Sequence, residues 1–213
     1  MEVFRAALTY ALEHQEQFTE ALIDHLLLVG ISLAIGIVVC LPLGVLTSRS
    51  RAASITFINA FNALRVIPSL AILFIAIPFF GLRFESAIIA LTILALPPIL
   101  INTDAAFRNI NPAIKEAALG MGMTMRQSLF QVEIPLALPV VIAGIRTATV
   151  EVIASATLAA FIGIGGLGIF ITRGFAMYDP AILLVGAVPV ALLAILAEVS
   201  MGFMQRILQP PVS

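Results

Sequence analysis

The chain is poor in the residues that build enzyme active sites, metal centres and disulfide frameworks. Among 213 residues there are one cysteine (Cys40), two histidines (His14 and His25) and no tryptophan, and only 11% are charged. A single cysteine excludes an internal disulfide, and two histidines near one end exclude a Ser–His–Asp or Cys–His arrangement and a metal site. We therefore predict a protein that is not an enzyme and that holds no metal or other cofactor of its own.

Nucleotide and nucleic-acid binding find equally little support. The only lysine, Lys115, stands in NPAIKEAALG, so the ATP-binding pattern G-x-x-x-x-G-K-[ST] is missing. Gly163, Gly165 and Gly168 do give G-x-G-x-x-G, but they follow an apolar stretch rather than a β-strand. We interpret these glycines as a tight bend or a close helix contact. With a net charge of −1, we also expect no nucleic-acid partner.

Apolar residues dominate the chain instead. They make up 61% of it, more than a soluble domain of this length can bury, so lipid must surround most of the protein. Five apolar segments are long enough to span a bilayer, at residues 22–48, 54–80, 86–103, 136–162 and 181–205. The sequence thus predicts an all-α membrane protein with one transmembrane domain over residues 21–207. Residues 1–20 are predicted to form an amphipathic segment on the outer face.

The second span contains a charge and a proline. Arg65 interrupts its apolar run, and Pro68 follows three residues later. Proline lacks the backbone N–H that a helix interior needs, and its ring clashes with the preceding turn. We therefore expect a bend in the second span at Pro68.

The longest polar stretch, residues 104–135, connects the third and fourth spans. Asn111–Pro112 is typical of a helix start, and we predict short helices over residues 113–119 and 124–132. A glycine-containing break separates the two helices, and Pro135, followed by a second proline, ends the segment as it returns to the membrane. Three methionines suit an adaptable contact surface for a partner: Met121, Met123 and Met125.

Basic residues predict the orientation in the membrane, because cytoplasmic loops carry an excess of Lys and Arg. If the loop at 104–135 is cytoplasmic, the inner side holds Arg49, Arg51, Arg108, Lys115, Arg126 and Arg206, and the outer side holds Arg5, Arg83 and Arg173. The opposite orientation reverses this ratio. We therefore predict an outside N-terminus and an inside C-terminus.

The same loop carries a long ungapped motif. Its fixed positions are Glu116-Ala117-Ala118, Gly122, Val132 and Ile134-Pro135, separated by three, nine and one residues. This motif resembles the EAA loop, E-A-A-x3-G-x9-I-x-L-P, of permease subunits in bacterial binding-protein-dependent ABC importers. Val132 and Ile134 stand where that pattern has Ile and Leu. The five-span layout is also similar to this family, whose type I importer permease fold we expect.

The resemblance implies a coupling helix that docks on a separate ATPase subunit, which would bind ATP and Mg²⁺. It places the joint with that ATPase at Glu116, Ala117, Ala118, Gly122, Met123 and Pro135. Movement of the ATPase would pass through this loop to the spans and alternate access to a central path. The implied partners are two ATPase subunits, an extracytoplasmic substrate-binding protein, and a second permease copy or a similar sister subunit, all beside membrane lipid.

Three further stretches, residues 67–78, 144–168 and 170–198, resemble the osmoprotectant branch of these permeases. Members of that branch import glycine betaine, carnitine, choline and related quaternary amines. Permeases for methionine and other amino acids share the EAA loop and match these stretches less well, so an amino-acid importer is the alternative. Outside this class, the alternatives are a non-transporting membrane scaffold and a channel.

Three charged residues, Arg65, Arg146 and Glu151, fall at membrane depth. Exposing such a residue to lipid costs about 3 kcal/mol or more, so all three are candidates for the translocation pathway. Arg146 and Glu151 are five residues apart and point to different faces of one helix, and Arg65 is a candidate partner for Glu151. Pairing that only stabilises the fold and direct contact with the substrate both stay open. Asn59 and Asn62 are weaker candidates, which we interpret as helix-to-helix hydrogen bonding.

Overall fold

The computed structural model describes residues 1–209, and these residues fold into α-helices without any β-strand. The helices are α1 Glu2–Glu13, α2 Gln15–Ser48, α3 Arg51–Val66, α4 Ser69–Phe80, α5 Phe84–Arg108, α6 Pro112–Gly120, α7 Met125–Ser128, α8 Ile134–Ala156, α9 Gly168–Ala176 and α10 Pro180–Ile207. A π-helical turn, Leu129–Glu133, joins α7 to α8, and a 3-10 helix, Thr157–Ile162, follows α8. The predicted all-α membrane fold is confirmed.

The long apolar helices agree with a five-span chain. Helices α2, α5 and α10 and the stretch Met125–Ile162 are each long and apolar enough to cross a bilayer. Helices α3 and α4 make a fifth, broken span only as a pair, because with 16 and 12 residues each is too short to cross alone. The two helices meet at an angle of 92°. The bend falls at Pro68, as predicted. Ile67, the residue before the proline, has an extended backbone, which is the conformation that a following proline favours.

Helix α5 is the centre of the core, where it packs between α2 and α8. Small residues allow these helices to come close. A Cβ atom on Gly44 of α2 would lie 2.6 Å from the Cβ of Thr103 on α5, and one on Gly144 of α8 would lie 2.5 Å from the Cβ of Asn102. Real Cβ atoms do not approach one another so closely, so both helix crossings require glycine.

Replacing Gly44 with leucine is therefore expected to destabilise the chain by about 3 kcal/mol, because the new side chain overpacks the α2–α5 crossing. Gly30 lies on the same helix with no atom within 4 Å of its added Cβ, and Gly30→Leu serves as the matched control. The measurement is the amount of full-length protein in the membrane and its melting temperature in detergent. Equal membrane amounts and equal melting temperatures of the two variants would contradict the close α2–α5 crossing.

The N-terminal segment forms a helix that packs on the rest of the chain. Helix α1 ends at Glu13, and α2 begins at once at Gln15. Ala7 of α1 is buried in a small cluster with Phe170 and Ile182, which belong to α9 and α10. Residues 1–20 therefore contact the end of the molecule that lies far from the coupling loop, while their position on the outer membrane face stays a prediction.

The stretch that sequence reasoning treated as a glycine-rich connection contains helix α9. Two of its glycines have left-handed backbones, Gly163 with φ +72° and Gly166 with φ +92°, and these turn the chain after the 3-10 helix. A Cβ on Gly168 would collide with the backbone oxygen of Thr157. The G-x-G-x-x-G spacing thus serves a tight turn and close packing. The helix was missed because its stability comes from burying Phe170, which local sequence does not reveal.

Candidate functional site

The predicted coupling loop is a compact pair of short helices. Helix α6 begins where the Asn111 side chain accepts a hydrogen bond of 3.0 Å from the Ala113 N–H. After α6 ends, Gly122 adopts a left-handed backbone with φ +85° and turns the chain. Helix α7 then begins with a capping box in which Thr124 and Gln127 satisfy each other's backbone N–H groups. The local sequence therefore fixes both helix starts and the turn between them.

The return to the membrane differs from the prediction. Pro135 and Pro139 do not end the second short helix, since the chain stays helical from Met125 through the π-helical turn into α8. Pro135 is accommodated because the π-helical turn Leu129–Glu133 directly before it already interrupts the usual i→i−4 hydrogen bonding. Pro139 lies inside α8. The coupling loop is thus continuous with span four, so a push on the loop acts directly on that span.

The residues assigned to the ATPase joint are not all on the surface. Glu116, Ala117 and Gly122 are exposed, as is Pro135, whereas Met123 is half-buried. Ala118 is only 2% exposed and so faces the body of the protein. The structure therefore leaves Glu116 and Ala117 available to a partner and gives Ala118 a packing position behind them.

Large apolar side chains stand exposed around this pair of helices, although the loop is polar overall. Met121 and Met125 are 73% and 77% exposed, and Ile114 and Leu119 are each 40% exposed. Clustered exposed apolar residues on a polar surface mark interaction sites, and methionine adapts to different contact shapes. This loop therefore has the surface expected where another protein docks.

Glu133, at the end of the π-helical turn, connects the loop to the spans. It is 4% exposed, and its Oε2 atom lies 2.9 Å from Arg49 Nη1 and 3.2 Å from Lys115 Nζ. Arg49 follows α2, and Lys115 belongs to α6. One buried carboxylate thus joins span one, the coupling helix and span four. Sequence reasoning missed this role because the two basic partners are distant along the chain.

A second buried carboxylate, Asp104, joins three helices at the same end of the molecule. It accepts hydrogen bonds from Ser54 Oγ at 2.9 Å and from Arg108 Nε and Nη2, both at 3.1 Å. Arg108 also donates to the backbone oxygen of Thr47 at 3.2 Å. Sequence reasoning placed residue 104 at the start of a polar loop, whereas α5 continues to Arg108, because this pairing lets the charges stay within a packed helix.

The three predicted pathway residues separate into two places. Arg65 Nη2 lies 3.2 Å from Glu151 Oε1, so the structure brings α3 and α8 together through this ion pair. Arg146 Nε instead lies 3.5 Å from Glu198 Oε2 on α10. The expected difference in direction between Arg146 and Glu151 is therefore present. A pathway role for each of the three residues stays a prediction.

Together the five-span helical fold, the exposed coupling loop and the charges at membrane depth define a membrane component of a transporter. The chain belongs to the family of binding-protein-dependent transport system inner membrane components, whose family model matches residues 27–213. It is therefore a multi-pass inner-membrane permease subunit, and such a permease works with an ATPase and a substrate-binding protein.

Among curated proteins, the relatives are named as osmoprotectant permeases. The chain is 44% identical over 187 residues to the carnitine transport permease protein OpuCB of Listeria monocytogenes, and 41% identical to the choline transport system permease protein OpuBB of Bacillus subtilis. Both alignments cover 88% of this chain and 86% of the relative. The osmoprotectant import permease protein OsmW of Salmonella typhimurium is 36% identical, with coverage of 94% and 96%. The resemblance to the osmoprotectant branch is confirmed.

Among solved structures, the chain is similar to one from the MetNI methionine ABC transporter in an inward-facing conformation. The TM-score is 0.81 over 93% of this chain and 99% of the other, at 24% sequence identity. A likeness at that identity shows the fold alone. The predicted type I importer permease fold is therefore confirmed.

Proposed function

We propose that this chain is the permease subunit of an ATP-driven importer of osmoprotectants such as glycine betaine, carnitine, choline or similar quaternary amines. The observation that carries the proposal is the 41–44% identity, over 88% of the chain, to permeases named for choline and carnitine transport. The methionine alternative has support only from a fold likeness at 24% identity. The match of residues 27–213 to the transport-system family favours a transporter over a non-transporting scaffold or a channel.

The ATPase docks at the loop formed by α6 and α7 and holds the ATP and Mg²⁺. The exposed methionines Met121 and Met125 and the exposed Glu116 and Ala117 support this assignment. The loop lies at the cytoplasmic end, with the N-terminus outside and the C-terminus inside. That orientation is supported by the gathering of basic residues such as Arg49, which pairs near the loop, and by the charge distribution between short connections.

The permease works as a homodimer or with a similar sister subunit, and an extracytoplasmic binding protein docks on the outer face near residues 81–85 and 163–179. The exposed Asn59 and Asn62 on α3 favour a second permease subunit over lipid against the bent span, whose exposed side chains leave a long surface uncovered. These include Phe57, Val66, Phe74, Ile75 and Phe79. Access alternates when closure of two ATPases moves the coupling loops and the spans attached to them.

Deletion of this gene is expected to remove uptake of labelled glycine betaine after a salt upshift in the native host. In the parent strain, uptake is also measured in the presence of unlabelled competitors, namely carnitine, choline, proline and methionine. Competition by the quaternary amines, together with loss of uptake on deletion, supports the osmoprotectant assignment. If deletion leaves glycine betaine uptake unchanged and removes methionine uptake, the osmoprotectant assignment is wrong and the amino-acid alternative is right.

A further inference from the structure

Helices α3 and α8 carry polar stripes on surfaces that the rest of the chain leaves uncovered. On α3 the exposed residues Asn59, Asn62 and Arg65 follow one another at intervals of three, so they lie along one side of the helix. On α8 the exposed Thr147 is followed by Glu151, whose side chain is one-third exposed. The Arg65–Glu151 ion pair connects the two stripes.

Lipid is a poor neighbour for these stripes. The uncovered side of α10 has the composition that lipid requires, with Val188, Leu192, Ile195, Leu196, Val199 and Phe203 all exposed. The stripes on α3 and α8 hold two amides, a hydroxyl and two charges instead, and a charge facing hydrocarbon costs about 3 kcal/mol. The stripes therefore face a polar space within the transporter and not the bilayer.

The position of the pair also suits a transport path. Glu151 follows the start of α8 at Ile134 by 17 residues, which places it about 26 Å along the helix from the coupling loop. Arg65 lies in the last turn of α3, immediately before the 92° bend. Broken helices in transporters line the substrate site near the repeat or subunit interface. The pair thus lies within the membrane-spanning part of α8, toward the end away from the loop, and beside the break between α3 and α4.

The Arg65–Glu151 pair is also less saturated than the buried Asp104, which accepts three side-chain hydrogen bonds. Among residues 1–209, Arg65 and Glu151 make a single side-chain contact, of 3.2 Å, with each other. Most guanidinium donors and one carboxylate oxygen are therefore free for a ligand.

We propose that Arg65 and Glu151 form a contact site for dipolar substrates, in which the substrate carboxylate binds Arg65 and its cationic group lies against Glu151. This inference rests on the proposed function and adds a substrate preference at the permease step. A dipolar solute replaces one protein ion pair with two protein–ligand pairs, so no charge is left unpaired. A simple cation such as choline binds Glu151 and leaves Arg65 unpaired and repelled.

The test uses the complete transporter, with its own ATPase and binding protein, in liposomes. Initial uptake of glycine betaine and of choline is measured for the wild type and for Arg65→Gln. Glycine betaine uptake is expected to fall about tenfold, as for loss of one charge-assisted contact. Choline uptake is expected to stay the same or rise, because the positive charge that repels choline is gone. Glu151→Gln is expected to reduce both. Arg5→Gln, at an exposed arginine on α1, is the control and leaves both uptake rates unchanged.

A purely structural pair gives a different pattern. Uptake of both substrates would then fall together in Arg65→Gln. The double variant Arg65→Glu/Glu151→Arg, which exchanges the two charges, would restore uptake of both. Arg65→Lys keeps a positive charge. The ratio of glycine betaine uptake to choline uptake is therefore expected to stay within about threefold of the wild-type ratio, which corresponds to a free-energy difference of less than about 1 kcal/mol. An equal fall in the uptake of both substrates in Arg65→Gln overturns the proposal.

The proposed function and this inference can fail separately. If the wild-type complex imports methionine and none of the quaternary amines, the osmoprotectant assignment is wrong. Methionine is also dipolar, so Arg65→Gln must still reduce its uptake about tenfold for the contact site to stand. Unchanged methionine uptake in that variant overturns the contact site as well.

Discussion

Replacing Glu133 with glutamine is expected to uncouple ATP hydrolysis from transport while the chain still reaches the membrane. The substitution keeps the shape of the side chain but removes the charge that faces Arg49 at 2.9 Å and Lys115 at 3.2 Å. Losing one partner of a buried ion pair costs about 3–5 kcal/mol. Arg49 is 44% exposed and regains water, so we expect a smaller loss of about 2 kcal/mol here.

The functional effect is larger than the stability effect because of where the carboxylate stands. Without its charge, coupling helix α6 keeps a hydrogen bond of 3.3 Å from Lys115 Nζ to the Phe107 backbone oxygen on α5, but loses its ion-pair link to α2 and α8. A movement of the ATPase then reaches α5 through that hydrogen bond and α8 along the chain, but no longer reaches α2 through Glu133. We expect substrate transported per ATP hydrolysed to fall at least about tenfold, which corresponds to losing a 1.4 kcal/mol preference for coordinated movement.

The measurement is uptake and ATP hydrolysis by the reconstituted complex, reported as their ratio. Glu2→Gln is the control, because Glu2 is an exposed carboxylate at the start of α1, remote from the loop. Arg49→Gln removes only one of the two basic partners of Glu133 and is expected to lie between the wild type and Glu133→Gln. A wild-type ratio in Glu133→Gln would show that the buried carboxylate plays no part in coupling.

Local sequence predicted the features of this fold that depend on local chemistry. Apolar runs long enough to cross a bilayer predicted an all-α chain, and Pro68 predicted the bend in the second span. Asn111 next to Pro112 gave the start of α6, since the cap and the proline both act within one turn. In each case the residues that cause the feature lie within a few positions of it.

The parts that were missed depend on partners far along the chain. Asp104 and Arg108 read as loop residues because charge is rare in a packed helix, and nothing nearby indicates that Ser54 and Thr47 will complete their hydrogen bonds. Glu133 depends on Arg49 in the same way. A charged residue in the sequence indicates that its burial would be costly. The local sequence does not indicate which distant group will offset that cost.

Proline was also interpreted too locally. Pro135 was expected to end the loop segment, yet the chain stays helical through it, because the π-helical turn directly before it already interrupts the usual hydrogen-bond pattern there. The glycines before α9 were interpreted as a tight bend or a close helix contact, and the structure has both. Gly163 and Gly166 turn the chain, and Gly168 lies where the backbone of Thr157 approaches closely.

The turn between the two coupling helices gives the other large expected effect. Gly122 has φ +85°, a conformation that a β-branched residue adopts only with strain. Valine at this position therefore costs about 1–3 kcal/mol unless the turn rearranges. Either response changes how α6, with the exposed Glu116 and Ala117, is presented to the ATPase.

Gly122→Val is expected to lower substrate uptake at least about tenfold, the equivalent of 1.4 kcal/mol of binding to the ATPase, and to reduce co-purification of the ATPase with the permease. Gly120→Ala is the matched control. Gly120 is two residues away with equally open surroundings, but it lies in the last turn of α6 and has no left-handed backbone. Alanine there favours the helix by about 1 kcal/mol and should leave uptake unchanged. Equal uptake in the two variants would mean that the ATPase does not depend on the shape of this turn, whereas a loss confined to Gly122→Val ties coupling to one backbone conformation.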